Sequence, residues 1–572
     1  MYNLQDINDH FKLPIMYLDD KYKLDEHIID DLELNQFKDN SNNSIYHYVF
    51  NPNDNFSKTT NLMWSKYYTT NKDFLNQSKL FFKNYTPINN PNDISHNNYI
   101  ENIWREIKND NSFLYNYQYI DWDKLMFLNN NSSFLFFLSI YSISSPVLSL
   151  ITPIIFLIIP FLLLRIQNIP ITFSKYGEIV QQLLNKHSLG SLFKFNDANF
   201  EQQIYIIITL GFYFYQMYQN VIMCIRYFYN MKKIHEYFYS IKLFLERNMK
   251  NIDNILLYTN NLYTYNYFNN NLLTYKNNIK ELYNKLDNIG NFNFTEFKFF
   301  NIGEIMKLFY QLYDDHTINN TMLFCFGLDG YVNNINQLKH KLNNKQINFC
   351  FITSKKFNFK DAYYPPLLNS KLNVKNTYNF KKNYIITGPN AAGKTTFIKT
   401  TIINLIFSQQ LCLGFYKHAN ITPYNYIHSY INIPDTSGRD SLFQAEARRC
   451  KNILDKIDSN KNYTHFCIFD ELYSGTNPYE ATSSAFSYLD YLSTKKNVKF
   501  ILTTHYIDLC KDLDKNPKIK NYHMLTDKQD NKILYKYLLS NGISNIKGGI
   551  QVLYDLEYPK KIIMSAEDHL NK

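Results

Sequence analysis

The sequence predicts an α/β domain over its C-terminal part, preceded by a largely α-helical region with one or two segments able to cross a bilayer. Three observations lead there. Short β-rich runs at Phe349–Thr353, Tyr384–Thr387, Phe466–Phe469 and Phe500–Thr503 alternate with helical stretches at Thr396–Cys412, Ser441–Ile457, Glu480–Leu492 and Ile507–Asp512, the pattern of a sheet in parallel order. Between Tyr227 and about residue 344, apolar residues recur at helical spacing. Ahead of both, Phe134–Leu164 carries no charged residue.

The chain has 572 residues, room for roughly three or four domains. Its 50 Tyr and 45 Phe supply ample core material. Runs such as Asn129–Asn131 and Asn269–Asn271 reflect composition and carry no chemistry of their own. The formal charge of +10 is spread along the chain, which permits contact with nucleic acid or an anionic membrane without specifying either. Seven cysteines are scattered with no C-x-x-C pair, which favours free thiols in a reducing compartment over a disulfide framework or a zinc site. The N-terminus, MYNLQDINDHFKL, is polar and acidic. It lacks a signal-peptide core, so the expectation is a protein that is not secreted.

Residues 1–130 read as a small helical region with loops and no motif. Residues 131–226 are the membrane candidate. Phe134–Leu164 ends at Arg165, and about 20 apolar residues suffice to span a bilayer. Pro146, Pro153 and Pro160 lie inside it; each would cost a soluble helix about 3 kcal/mol, whereas membrane helices tolerate proline more readily. A re-entrant hairpin and a buried core helix are the alternatives. Ile204–Ile225 is less apolar, with Gln216, Gln219 and Asn220, and reads equally well as a second span or a buried helix. If both cross, the termini share one side, which Arg226, Lys232 and Lys233 would hold in the cytoplasm. Residues 227–345 form a helical domain: Ile234, Phe238, Ile241, Leu245 and Met249 fall near one helix face. Their aromatic stripes read as helix–helix core.

Residues 346–572 carry the chemistry. Thr387–Thr396, TGPNAAGKTT, satisfies the pattern G-x-x-x-x-G-K-S/T through Gly388, Gly393, Lys394 and Thr395. A β-forming run leads in and a helix-compatible run leads out, the context that turns this pattern into a phosphate-binding loop. Glycines let backbone N–H groups face an anion, and the helix N-terminus adds its positive end. Lys394 would neutralise the β- and γ-phosphates and Thr395 would ligate Mg²⁺. Downstream, HFCIFDEL (465–472) is a buried-strand run ending in two carboxylates. Asp470 would hold Mg²⁺ and Glu471 would orient or deprotonate the attacking water. FILTTHY (500–506) ends in Thr504-His505, where a polar residue can sense the γ-phosphate or position that water.

From about Asp361 to Lys572 these motifs, taken in order, resemble the ATPase domain of the MutS family of DNA mismatch-repair proteins. YYPPLL (363–368) is similar to its proline-containing motif, and TGPNAAGKTT to its G-P-N-x-x-G-K-S/T loop. GRDSLFQAEARR (438–449) resembles its dimer motif, FDELYSGTNPYEA (469–481) its extended acidic strand end, and TTHY its His-containing strand. The tail 541–563 is similar to a glycine-rich stretch before a final helix. The resemblance implies a P-loop ATPase of the ABC/MutS-like kind with ATP and Mg²⁺ as cofactors. It assigns Gly388, Pro389, Asn390, Ala391, Ala392, Gly393, Lys394, Thr395 and Thr396 to the phosphates, Thr395 and Asp470 to the metal, and Glu471, Lys394 and His505 to catalysis. Ser441 would act across a dimer interface on the partner's nucleotide, in a homodimer or heterodimer. An L-S-G-G-Q stretch, which would favour an ABC transporter-type ATPase, is not found before the acidic strand.

Two departures shape the functional expectation. Phe294-Thr295-Glu296 has the letters of the family's mismatch wedge but lies in the helical middle and reads as chance. The C-terminal nuclease domain of one branch is not expected, because the chain ends soon after the ATPase motifs. The expected function is ATP-dependent binding of mismatched or branched DNA. The alternative is a membrane-anchored ATPase of the same type that tethers or remodels a non-mismatch DNA or a protein, membrane-associated with its ATPase domain in the cytoplasm.

Overall fold

The computed structural model describes residues 3–36, 43–88, 93–167, 172–186, 200–289, 301–431, 441–529, 532–544, 553 and 556–570. Two compact units divide the chain, one built mainly from Ser95–Arg247 and Asn277–Met322, the other from Asn3–Ile94, Asn248–Lys276 and Leu323–Lys572.

The first unit is helical. It contains α1 (Ser132–Ile166), α2 (Phe173–Lys186) and the greater part of α3 (Phe200–Thr259). Asn131 caps α1 by accepting the Phe134 N–H at 3.0 Å. The segment 134–164 is therefore one continuous helix and not a re-entrant hairpin. Proline leaves the carbonyl four residues earlier without its N–H partner. The Ser145 hydroxyl donates to the Ser142 carbonyl freed by Pro146 at 3.0 Å. The Tyr213 hydroxyl, on α3, donates to the Ser149 carbonyl freed by Pro153 at 3.2 Å. With Cys224 Sγ 3.4 Å from the Ile143 carbonyl, these contacts set α1 and the start of α3 antiparallel. Their outward faces are apolar and exposed, including Phe137, Leu150, Ile158 and Leu162 on α1 and Phe212, Tyr215, Val221 and Ile225 on α3. Among the described residues one helix, within Ser132–Thr152, is long and apolar enough to cross a membrane.

The second unit holds the sheets. β1 (Lys21–Lys23) pairs with β2 (Tyr67–Thr69) antiparallel. Then follow β3 (Asn348–Ile352), β4 (Asn358–Ala362), β5 (Asn376–Asn379), β6 (Asn383–Thr387), β7 (Leu413–Gly414), β8 (His418–Ile421) and β9 (Tyr426–Tyr430). β10 (His465–Asp470), β11 (Val498–Thr504), β12 (Ile519–Gln529) and β13 (Lys532–Asn541) complete them. The larger sheet has six strands in the order β13-β12-β6-β11-β10-β9, the other five in the order β5-β4-β8-β3-β7.

The expected parallel order holds from β9 through β12; it does not include the run Phe349–Thr353, which forms β3 of the five-stranded sheet, and it fails at the edge, where β13 pairs with β12 antiparallel. The correction has a simple cause: so few residues separate β12 from β13 that the chain can only fold straight back, whereas a parallel return needs a long crossover. The sheet is mixed. Helices α4 (Lys394–Leu411), α5 (Leu442–Ser459), α6 (Pro478–Thr494) and α7 (Ile507–Asp514) connect its strands. Ile453, Leu489 and Leu509 from α5, α6 and α7 bury against Ile385, Phe469 and Leu502 of the sheet.

α4 is buried nearly all round, and the reason lies at the other end of the chain. Its Gln410 donates to the carbonyls of Trp64 at 2.7 Å and Tyr67 at 2.9 Å, and accepts from the Tyr46 hydroxyl at 2.8 Å. Gln409 donates to the Thr69 carbonyl at 3.1 Å. Asp31 accepts the Ser429 hydroxyl at 2.6 Å. Residues 3–94, which no motif distinguished, thus form one unit with the α/β part.

Candidate functional site

β6 is buried along its whole length between β11 and β12, and its carboxyl end delivers the chain into the glycine loop at Gly388. Ala391 takes φ +65° and Gly393 takes φ +89°, the left-handed region that glycine enters without strain. A side chain at Gly393 would also meet the Tyr537 ring at 3.0 Å. α4 begins at Lys394, so its positive N-terminal end opens on the loop.

The loop bounds a cavity of about 550 Å³ lined by Pro389, Asn390, Ala391, Ala392, Gly393, Lys394, Thr395 and Thr396 on one side and by Asp470 and Glu471 on another. Lys394, only 5% exposed, donates to the Gly388 carbonyl at 2.9 Å and the Pro389 carbonyl at 3.3 Å. Its Nζ lies 3.7 Å from Glu471 Oε1. Burial pulls its pKa below the usual lysine range, against the opposing charges of Glu471 and Asp470.

Asp470, at the end of β10, accepts the Thr395 hydroxyl at 2.8 Å on Oδ2 and the Thr503 hydroxyl on Oδ1. Burial raises its pKa, opposed by those two hydroxyls. Glu471 behaves oppositely. The neighbouring His505, whose Nδ1 stands 3.6 Å from Oε1, holds its carboxyl below the usual range, with Lys394 adding to the effect against burial. Glu471 itself sits at φ +53°, its N–H bonded to the Thr503 carbonyl at 3.0 Å.

The remaining candidates lie apart from the cavity wall. Gly388 contributes its carbonyl to Lys394. His505 stands behind Glu471, about half exposed. Ser441 is the N-cap of α5: its hydroxyl accepts the Gln444 N–H at 3.3 Å while the Gln444 side chain accepts the Ser441 N–H at 3.0 Å. The preceding Gly438-Arg439-Asp440 lies outside the described residues, as do Phe294-Thr295-Glu296 and Gly548-Gly549 of the 541–563 tail. Among the described residues no three His, Cys, Asp or Glu side chains gather as a metal site. The donors at hand are the oxygens of Thr395 and Asp470, a set that suits Mg²⁺, which keeps several waters and takes one or two protein oxygens.

Sequence reasoning missed three groups. Thr503 was read only as part of a strand, though a hydroxyl one residue before the strand end faces the neighbouring strand's terminal acid. The apolar wall of the cavity comes from Tyr364, Leu367, Leu372 and Val374, facing Met524 and Tyr537; only the YYPPLL motif hinted at it. Glu446, on α5, is 2% exposed and bonded to the loop after Glu471.

The fold and cavity define a class: a mixed-sheet α/β domain whose glycine loop and twin carboxylates face one cavity. Residues 384–572 match the model of MutS domain V, so the C-terminal part of this chain is similar to that domain. It is 30% identical over 209 residues to the DNA mismatch repair protein MutS of Prochlorococcus marinus (strain MIT 9301), covering 36% of this chain and 22% of that protein. To the protein of the same name from Bacillus thuringiensis (strain Al Hakam) it is 26% identical over 226 residues, 38% of this chain and 25% of the relative. The matched region thus spans a quarter or less of these relatives' length.

Proposed function

We propose that the loop 388–396 holds the phosphates of ATP and that this chain hydrolyses it to drive binding of mismatched or branched DNA. The convergence of Lys394, Thr395, Asp470 and Glu471 from separate stretches of sequence on one cavity carries this reading, and the MutS domain V match supports it. Lys394 exchanges the Gly388 and Pro389 carbonyls for phosphate oxygens. Thr395 and Asp470 hold Mg²⁺, which when bound stabilises charge on the phosphoryl oxygens. Glu471, kept ionised by His505 and Lys394, takes the proton of the attacking water. The apolar wall around Leu372 and Val374 excludes water from one side and suits a nucleobase. Ser441, which does not line its own chain's cavity, serves the site of a second copy. In this reading residues 346–572 are the engine and 227–345 the helical lever.

Full-length protein tests this with Mg²⁺-ATP. Lys394→Ala should lower kcat/KM about 100-fold or more. Glu471→Gln should bind ATP and stall. Turnover at parental rates in both would refute the assignment. Binding to homoduplex, single-mismatch and four-way-junction DNA, with and without ATP, checks the partner; failure on all three would remove DNA.

A second reading concerns location and favours membrane anchorage through residues 131–226. Its specific support is that two of the three proline-freed carbonyls of α1 are bonded internally by Ser145 and Tyr213, while the surrounding faces are apolar and exposed. Hydrocarbon offers no partner for a free carbonyl, so a spanning helix must supply its own. Two spans would leave the α/β part on the cytoplasmic side, acting on a non-mismatch DNA or a protein. Under alkaline carbonate washing the full chain should stay with membranes, and Leu150→Lys with Ile158→Lys should release it. Release of the parent would exclude spanning.

A further inference from the structure

The segment that follows Glu471 is a strained turn with an external clamp. Glu471 at φ +53° and Tyr473 at φ +59° both occupy the left-handed region without being glycine. Such a turn persists only where its surroundings over-determine it. The clamp is Glu446, in the second turn of α5. One carboxylate oxygen accepts the Ser474 N–H at 3.1 Å and the Ser474 hydroxyl at 2.8 Å; the other accepts the Gly475 N–H at 3.1 Å. The Tyr430 hydroxyl, at the end of β9, accepts the Tyr473 N–H at 3.2 Å. The turn also lies hard against the start of α5. A Cβ placed on Gly475 would stand 2.7 Å from Leu442 Cγ and 2.7 Å from the Phe443 nitrogen. Ser441, five residues before Glu446, caps the same helix.

We propose that Glu446 is a positioning residue for Glu471, so that α5 sets where the Glu471 carboxylate stands and transmits displacement of its Ser441 end to it. This rests on the reading of Glu471 as the base for ATP hydrolysis. Glu446 itself does not line the cavity. A buried carboxylate accepting three hydrogen bonds from one turn fixes that turn in position and orientation, and small misplacements of a catalytic group cost rate far more than binding. Gly475 is required for the same reason: any side chain there must push the turn and the helix apart.

The test is steady-state hydrolysis of Mg²⁺-ATP by the full chain, with affinity for a fluorescent ATP analogue measured separately. Glu446→Ala should lower kcat about tenfold or more while the affinity and KM move less than about twofold. Glu446→Gln should recover part of the rate, since its amide oxygen can still accept from Ser474 while its NH₂ cannot accept from Gly475. Gly475→Ala should behave like Glu446→Ala, and carries the test together with Glu446→Gln if Glu446→Ala does not fold. A parental kcat in Glu446→Ala, in a protein whose turnover Glu471→Gln abolishes, overturns the proposal while leaving the ATPase reading intact. Equal losses of kcat and affinity across these variants would show general damage to the site and also overturn it. A parent that turns over no ATP removes both.

Discussion

Thr395 donates its hydroxyl to Asp470 Oδ2 at 2.8 Å, joining the first turn of α4 to the end of β10 across 75 residues of sequence. The two oxygens proposed to hold Mg²⁺ therefore already share one place, and Thr503 occupies the other Asp470 oxygen. Thr395 and Asp470 would hold the cation through these two oxygens, and its charge would favour the ionised form of a carboxylate that burial has made reluctant to ionise.

Asp470→Asn should separate stability from function. A carboxyl whose folded pKa is raised costs stability above its unfolded pKa, a cost that grows as pH rises to the folded pKa and then stays constant. At neutral pH the amide removes this penalty, so Tm measured without nucleotide should rise. Stabilisation of the parent by added Mg²⁺-ATP should vanish in the variant. A lower Tm without ligand would mean that the hydroxyl bonds outweigh the buried charge.

Glu471 gives the pH dependence its sign. Its pKa is depressed in the folded chain, so its contribution to stability is present above the unfolded value and is lost as pH falls through the lower folded value. The acid limb of kcat/KM, which reports the free protein, should accordingly lie below the ordinary glutamate range of about 4.3. Because His505 is the largest cause, His505→Ala should move that limb to higher pH. A limb that stays in place would show that the imidazole does not act on Glu471.

Ser441 is tested by mixing. Lys394→Ala and Ser441→Ala chains should each turn over ATP poorly. In mixed dimers the Ser441→Ala chain keeps an intact loop and receives the serine of its partner, so about half of the sites should recover at best. Ser441→Ala also removes a helix cap, costing about 1 kcal/mol, which denaturant unfolding of the single variant measures. Mixtures no faster than either chain alone would exclude action across an interface.

Gln410→Ala should be among the more costly substitutions in the second unit. It removes the amide that bonds the Trp64 and Tyr67 carbonyls and the Tyr46 hydroxyl in a dry interior, leaving the Tyr46 hydroxyl and the Trp64 carbonyl only their mutual bond at 3.2 Å. The loss should be about 3 kcal/mol in denaturant unfolding. A change under about 0.5 kcal/mol would mean that residues 3–94 do not depend on α4 for their place.

The strands and helices around the loop were legible in the sequence because their signals are local. The run at 384–387, the glycines at 388 and 393, and the adjacent acids 470 and 471 each declare themselves within a few residues. The same holds for the uncharged run 134–164, whose length and composition are enough to announce a long apolar helix. What remained hidden depends on partners far away in the chain. Gln409 and Gln410 read as ordinary polar residues at the end of an apolar helix until residues 64–69 are seen to bond them. Glu446 reads only as a member of the GRDSLFQAEARR motif, with no contact of its own, until the turn at 474–475 closes on it. The apolar wall of the cavity joins Leu372 and Val374 to Met524 and Tyr537, and no spacing rule links residues so far apart. The sequence alone thus determined the local geometry of a glycine loop, an acidic strand end and an apolar helix, because backbone preference and hydrophobic period act at short range. Tertiary structure alone decided which hydroxyls meet Asp470, what clamps the Glu471 turn and what buries α4, because those contacts exist only once distant segments have packed.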